Sequence, residues 1–127
     1  MDYKAVPNAI FTDPEIAQVG ISEKMAEAEG LAIKVGRFPF AGNGKALALG
    51  NSRGFVKLIT DAETDILIGG AVVGPGATDL IAEITLAIQQ GLTASQVANT
   101  IHAHPTLPEA IMEAAWDCGS GALHLAD

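Results

Sequence analysis

The sequence predicts an α+β domain, a mainly antiparallel sheet with helices packed on it as a two-layer sandwich. Three observations predict this. Residues 31–38, 54–60 and 66–73 carry the alternating or continuous apolar runs of strands. Residues 77–90 and 107–118 carry apolar side chains at three- and four-residue spacing, as amphipathic helices do. The last two strand runs are joined by the short polar stretch 61–65, which suits an antiparallel hairpin and is too short for a crossover helix. With 127 residues, 49% of them hydrophobic, the chain suffices for one domain with its own core. Aromatic residues make up 5%, so that core must be mostly aliphatic.

Each element has a local cause. Residues 6–12 read as a short strand entered at Pro7 and closed by a turn at Asp13-Pro14. Ser22 is the N-cap of a helix over 23–29, with Gly30 as its C′ residue. The next strand, 31–38, ends before Pro39, and the small-residue stretch 41–50 reads as a loop with a helical turn. The run 66–73 is apolar throughout, which predicts a central strand covered on both faces. The helix over 77–90 turns Leu80, Ile81, Ile84, Ala87 and Ile88 inward and stops at Gly91. Glu83 interrupts it and reads as a solvated or dimer-facing carboxylate. Thr93-x-x-Gln96 is a capping box that starts another helix. The last helix, 107–118, turns Ile111, Met112 and Ala115 inward, with Trp116 a further candidate. Periodicity ends at Gly119, and the tail is expected to be mobile or partner-bound.

Composition narrows the function. Fifteen acidic residues against 7 basic ones give a net charge of −8, which disfavours nucleic acid and anionic membranes. No apolar run reaches the length of a membrane span or a signal peptide, so the chain is expected to be cytoplasmic. Cys118 is the single cysteine, so no disulfide can form within the chain. Its neighbours Trp116 and Asp117 supply no base, and the thiol reads as buried or incidental. Gly74-Pro75-Gly76 sits between strand and helix like a dinucleotide-binding turn. Its third glycine position is Asp79, however, and no ribose-binding acid follows on a second strand. Gly44-Lys45 lacks the rest of a phosphate loop. His102 and His104 could give two metal ligands, but His124 and one Cys cannot complete a zinc set without carboxylates or a second chain. Ser120 has no base at motif spacing, so a hydrolase finds no support.

The chemistry concentrates in His102-Ala103-His104-Pro105-Thr106-Leu107-Pro108-Glu109. An imidazole changes charge in the neutral range, and a carboxylate five residues on can orient it and stabilise its charged form. Thr106-x-x-Glu109 is equally a capping box for the last helix. Both readings can hold together, since the box fixes where Glu109 sits relative to His104.

His-x-His-Pro-Thr-x-x-Glu resembles the C-terminal signature of the flavin-dependent pyridine nucleotide–disulfide oxidoreductases, and His-Ala-His-Pro-Thr is similar to its dihydrolipoamide dehydrogenase form. Three further stretches carry the resemblance in order: Val6 through Gly20, Phe38-Pro39-Phe40-Ala41 with Asn43, Lys45 and Ala46, and Gly70 through Leu80. The resemblance implies that residues 1–127 are a single interface (dimerisation) domain of a longer flavoprotein, with the FAD- and NAD-binding domains outside this chain. It implies that Met1 is a start within that longer protein, or that the domain is a naturally split subunit.

By the same resemblance, His104 is the acid/base catalyst that takes a proton from a dithiol, and Glu109 holds its imidazole. Pro105 would fix the segment against the flavin of the partner subunit, and His102 would lie near that site in support. The unit would be a homodimer that oxidises dihydrolipoamide with FAD and NAD, possibly serving the acyltransferase of a 2-oxo acid dehydrogenase complex. With one Cys there is no redox pair here, so this chain by itself is expected to be inactive and to bind no cofactor. Two other readings stay open. One is the interface domain of a mercuric, glutathione-type or transhydrogenase relative; the other is an autonomous acidic binding module whose histidines are structural.

Overall fold

The computed structural model describes residues 5–119. Residues 1–4 and the tail beyond Gly119, with Ser120 and His124, lie outside the described residues. Five strands form one sheet: β1 (Asn8–Ile10), β2 (Ile16–Gly20), β3 (Ile33–Pro39), β4 (Phe55–Asp61) and β5 (Leu67–Val73). Their order is β1-β2-β5-β4-β3, and every pairing is antiparallel. The helices are α1 (Glu23–Ala28), α2 (Gly44–Ala48), α3 (Ala77–Gln89), α4 (Ala94–Ala98) and α5 (Glu109–Gly119), with a 3-10 turn at Phe40–Gly42. The α+β sandwich expected from the sequence is therefore the observed architecture.

The local signals act as expected at most boundaries. Ser22 Oγ accepts from the Met25 amide at 3.1 Å and starts α1. Thr93 and Gln96 make the reciprocal box at the head of α4, with bonds of 2.9 and 3.1 Å. Asp61 closes the β4–β5 hairpin by accepting from the amides of Glu63 and Thr64 at 2.8 and 3.1 Å. Strand β2 has no clear signal in the sequence. Its inward pair is Ala17 and Val19, small and medium side chains, while the larger Ile16 faces out, so the apolar alternation is faint.

The core lies between one face of the sheet and α3, α4 and α5. Val56, Leu58, Phe38, Val72, Ala17 and Val19 point into it and meet Leu80, Ile81, Ile84, Ile111 and Ala114. Helix α5 lies so close to β3 that a Cβ on Gly36 would sit 2.2 Å from the Ala114 carbonyl oxygen. That approach explains why the residues of α5 that face it, Ala114 and Cys118, are small; Ala110, Ile111 and Ala115 are also buried. Trp116 is too large for it and departs from the inward placement considered above. It stands 36% exposed at the α4–α5 edge, its indole N–H donating to the Ala98 carbonyl at 2.9 Å. Met112 is half-buried.

The opposite face of the sheet is only partly covered. Helix α1 closes one corner, where Ala26 packs with Ile21 and Ile59. Glu23 there accepts from Lys57 Nζ at 2.7 Å and pairs with Arg37 at 3.3 Å. The paired row Ile10, Ile16, Val73, Phe55 crosses the rest of that face. Ile10, Ile16 and Phe55 are 50%, 37% and 36% exposed. Strand β5 is central as expected, but its second face is half-open; Ile68, Ala71 and Val73 are half-buried.

Candidate active site

Residues 99–108 connect α4 to α5 and carry both histidines, His104 at the surface of the helical layer and the His102 ring beneath it. The His104–Pro105 peptide bond is cis. His104 Nδ1 lies 3.1 and 3.0 Å from the two carboxylate oxygens of Glu109. A carboxylate facing Nδ1 favours the tautomer with its proton there, which leaves the Nε2 lone pair free to accept a proton. The His104 side chain is 78% exposed and that of Glu109 20%, so the imidazole projects outward from a carboxylate that is largely enclosed.

The capping box forms by half. Glu109 Oε1 accepts from the Thr106 amide at 3.0 Å, as expected. The Thr106 hydroxyl, however, donates to the Ala103 carbonyl at 2.7 Å, closing a tight turn under His104. Glu109 thus serves an amide and an imidazole together, and the Thr106 amide sets its rotamer.

Two side chains that sequence reasoning did not place here hold the segment. Asn43, 3% exposed, caps α2 by accepting from the Ala46 amide at 2.9 Å. Its Nδ2 donates to the Thr106 carbonyl at 3.0 Å. Asn43 was visible within the second matched motif, but nothing local shows that its amide reaches 63 residues along the chain. Glu83 is the other. His102 Nε2 lies 2.7 Å from Glu83 Oε2, and Nδ1 lies 2.8 Å from the Thr100 carbonyl oxygen. The His102 side chain is 6% exposed. The His102 ring is therefore buried with both nitrogens engaged, although its residue as a whole is half-buried, whereas His104 and Pro105 are exposed.

The strand-to-helix turn at Gly74–Gly76 does a structural task. Glu15 Oε1 accepts from the Thr78 amide at 3.0 Å and the Thr78 hydroxyl at 2.8 Å, so a carboxylate already fills the N-terminus of α3. The amide bond first, and the hydroxyl second, hold Glu15 below its ordinary value. A pyrophosphate would meet that charge. Cys118 is buried, and burial, with Asp65 and Asp117 adding to it, pushes its thiol up to about 12. Such a thiol holds almost no thiolate at neutral pH and is no nucleophile. No described helix is long and apolar enough to cross a membrane.

An exposed imidazole braced by a carboxylate can exchange a proton with a group presented from outside. Among the described residues nothing adjacent supplies a nucleophile or a redox pair for it.

Residues 6–115 match the family "pyridine nucleotide-disulphide oxidoreductase, dimerisation domain". The chain is 57% identical over 115 residues to the dihydrolipoyl dehydrogenase of Staphylococcus aureus, covering 91% of this chain and 25% of that protein. It is 51% identical over 124 residues to that of Halobacterium salinarum, covering 98% and 26%. Among solved structures, LpdA of Mycobacterium tuberculosis superposes with a TM-score of 0.85 at 35% identity, over 91% of this chain and 25% of that one. The HOCl-induced flavoprotein disulfide reductase RclA of Escherichia coli superposes at 0.82 with 26% identity, over 87% and 25%. The chain spans about a quarter of the length of these relatives. The chain belongs to the dimerisation-domain family of the pyridine nucleotide–disulphide oxidoreductases.

Proposed function

We propose that this domain works within a dihydrolipoamide dehydrogenase, a homodimeric flavoprotein that oxidises dihydrolipoamide to lipoamide with NAD, and that it supplies the acid/base pair His104–Glu109. The observation that carries this reading is the outward Nε2 of His104, opposite an Nδ1 held at 3.0 Å by Glu109. Likeness to dihydrolipoyl dehydrogenases over most of the chain supports the substrate class.

The chemistry required of these residues is proton transfer. A thiol of dihydrolipoamide has an ordinary pKa well above neutrality, and its thiolate is the species that attacks a disulfide. His104 Nε2 takes that proton, and the adjacent Glu109 carboxylate stabilises the imidazolium until the proton leaves. The redox disulfide would lie in the nucleotide-binding part of the full-length protein, where bound FAD would supply the electron transfer to NAD. This chain fits a contributor to that site and not a cofactor cradle. The glycine-rich turn at Gly74–Gly76 is filled by Glu15, while His104 and Pro105 are exposed to meet a flavin-bearing partner. The open apolar row of the sheet suits attachment to further domains of the same protein. Assembly with the acyltransferase of a 2-oxo acid dehydrogenase complex and a cytoplasmic location follow from the same reading, as does the single-domain character of residues 1–127.

The test is a graft. A full-length dihydrolipoyl dehydrogenase is built with this domain in place of its own, and lipoamide-dependent NADH turnover is measured. Turnover that disappears with His104→Gln supports the proposal. Turnover indifferent to that change favours an autonomous binding module with structural histidines. Turnover with glutathione disulfide in place of lipoamide favours a glutathione-type relative.

A further inference from the structure

The geometry points to Glu83 as a positioning residue: through His102 it fastens the 100–106 turn to α3 and thereby holds His104 within reach of Glu109. This rests on the acid/base reading of His104 given above.

The turn has few other means of staying in place. Ile101, its one large apolar residue before His102, is 95% exposed and does not anchor it; apolar packing is confined to Ala98 and Leu107 at its two flanks. Ala103, His104 and Pro105 are exposed as well. On the far side the turn is held by Asn43, which grips the Thr106 carbonyl. On the near side the buried ring of His102 is the plug, and it is fixed at both ends. Its Nε2 faces Glu83 at 2.7 Å and its Nδ1 faces the Thr100 carbonyl at 2.8 Å, so no rotation of the ring keeps both bonds. Glu83 stands on the flank of α3, beside the core stripe of Leu80, Ile81, Ile84 and Ala87, on a helix rigidly packed against β5 and β2. The carboxylate that looks solvated in the sequence is the bolt between helix α3 and the exposed end of the site. A glutamine can replace it without loss of geometry: its amide N–H₂ donates to a neutral His102 Nε2 while Nδ1–H donates to Thr100. Alanine cannot.

The experiment compares Glu83→Ala with Glu83→Gln by two readouts. In the 127-residue chain, amide hydrogen exchange of Thr106, whose N–H is bonded to Glu109, should be about 10-fold faster in E83A and about unchanged in E83Q, with β4, β5 and α3 protected in both. In the grafted flavoprotein, kcat for dihydrolipoamide should fall about 10-fold in E83A, with KM for NAD unchanged, and return in E83Q, since a displaced base costs rate and not nicotinamide binding. If E83A retains wild-type exchange at Thr106, or wild-type kcat, the positioning role is overturned. If His104→Gln leaves the graft fully active, the acid/base reading fails instead, and the exchange measurement alone decides the anchor. Should E83A unfold the domain, His102→Asn, which reaches Thr100 but not Glu83, gives the same comparison.

Discussion

Asn43 is the place where the fold and the site share one side chain, and its removal has a calculable cost. Asn43→Ala deletes the acceptor for the Ala46 amide, and an N-cap of this kind is worth about 1 kcal/mol. It also deletes the donor to the Thr106 carbonyl, which then keeps a contact of 3.4 Å from the Glu109 amide. Because Thr106 is half-buried and retains that contact, the second loss falls at the low end of the range for a stranded carbonyl, about 1 kcal/mol. The sum is about 2 kcal/mol, read as a lower urea midpoint at unchanged slope. Asn43→Asp separates the two terms. The carboxylate preserves the cap but places an acceptor against the Thr106 carbonyl, so N43D should be at least as unstable as N43A. Asn43→Ser retains only the cap and should lose about half as much. An N43A within about 0.5 kcal/mol of wild type, or an N43D as stable as wild type, would refute the reasoning.

The remaining predictions concern the framework that carries the site. Gly36→Ala should destabilise the chain by about 3 kcal/mol or prevent folding, because the new methyl meets the backbone of α5 at 2.2 Å; thermal unfolding checks it. Glu15 is held below its ordinary value of 4.5 by the Thr78 amide and hydroxyl. A lowered carboxylate stabilises the fold above its unfolded pKa and loses that contribution as pH falls through the folded value. Glu15→Gln should therefore be less stable than wild type at neutral pH, and urea midpoints should converge as the pH drops below about 4.5. Cys118, with its thiol near 12, should resist a thiol reagent in the native chain and react at once in denaturant. Fast native labelling at neutral pH would show that α5 does not seal against β3.

What the sequence disclosed and what it hid divide along physical lines. Interactions that close within a few residues were legible. Ser22 on α1, the Thr93–Gln96 box, the Asp61 turn and the His104–Glu109 pair all join groups no more than five positions apart. The central strand β5 was legible because its apolar run has no polar interruption. Strand β2 was not, since its inward residues are Ala17 and Val19, and the pattern weakens when the buried side chains are small. Contacts between distant segments left no local mark. Glu83 meets His102 across 19 residues and Asn43 meets Thr106 across 63, so each looked like an ordinary surface or loop residue. Trp116 misled for a third reason. Its apolar character is real, but the room beneath α5 is set by Gly36 on a strand 80 residues away.

The reductive half-reaction tests the central claim most directly. In the grafted flavoprotein, the rate of flavin reduction by dihydrolipoamide is followed in a stopped-flow instrument for wild type and His104→Gln. Loss of a positioned general base predicts a rate lower by about 100- to 10,000-fold, with reduction by NADH from the other side unaffected. A variant that reduces its flavin with dihydrolipoamide at the wild-type rate would contradict the assignment of His104 as the base.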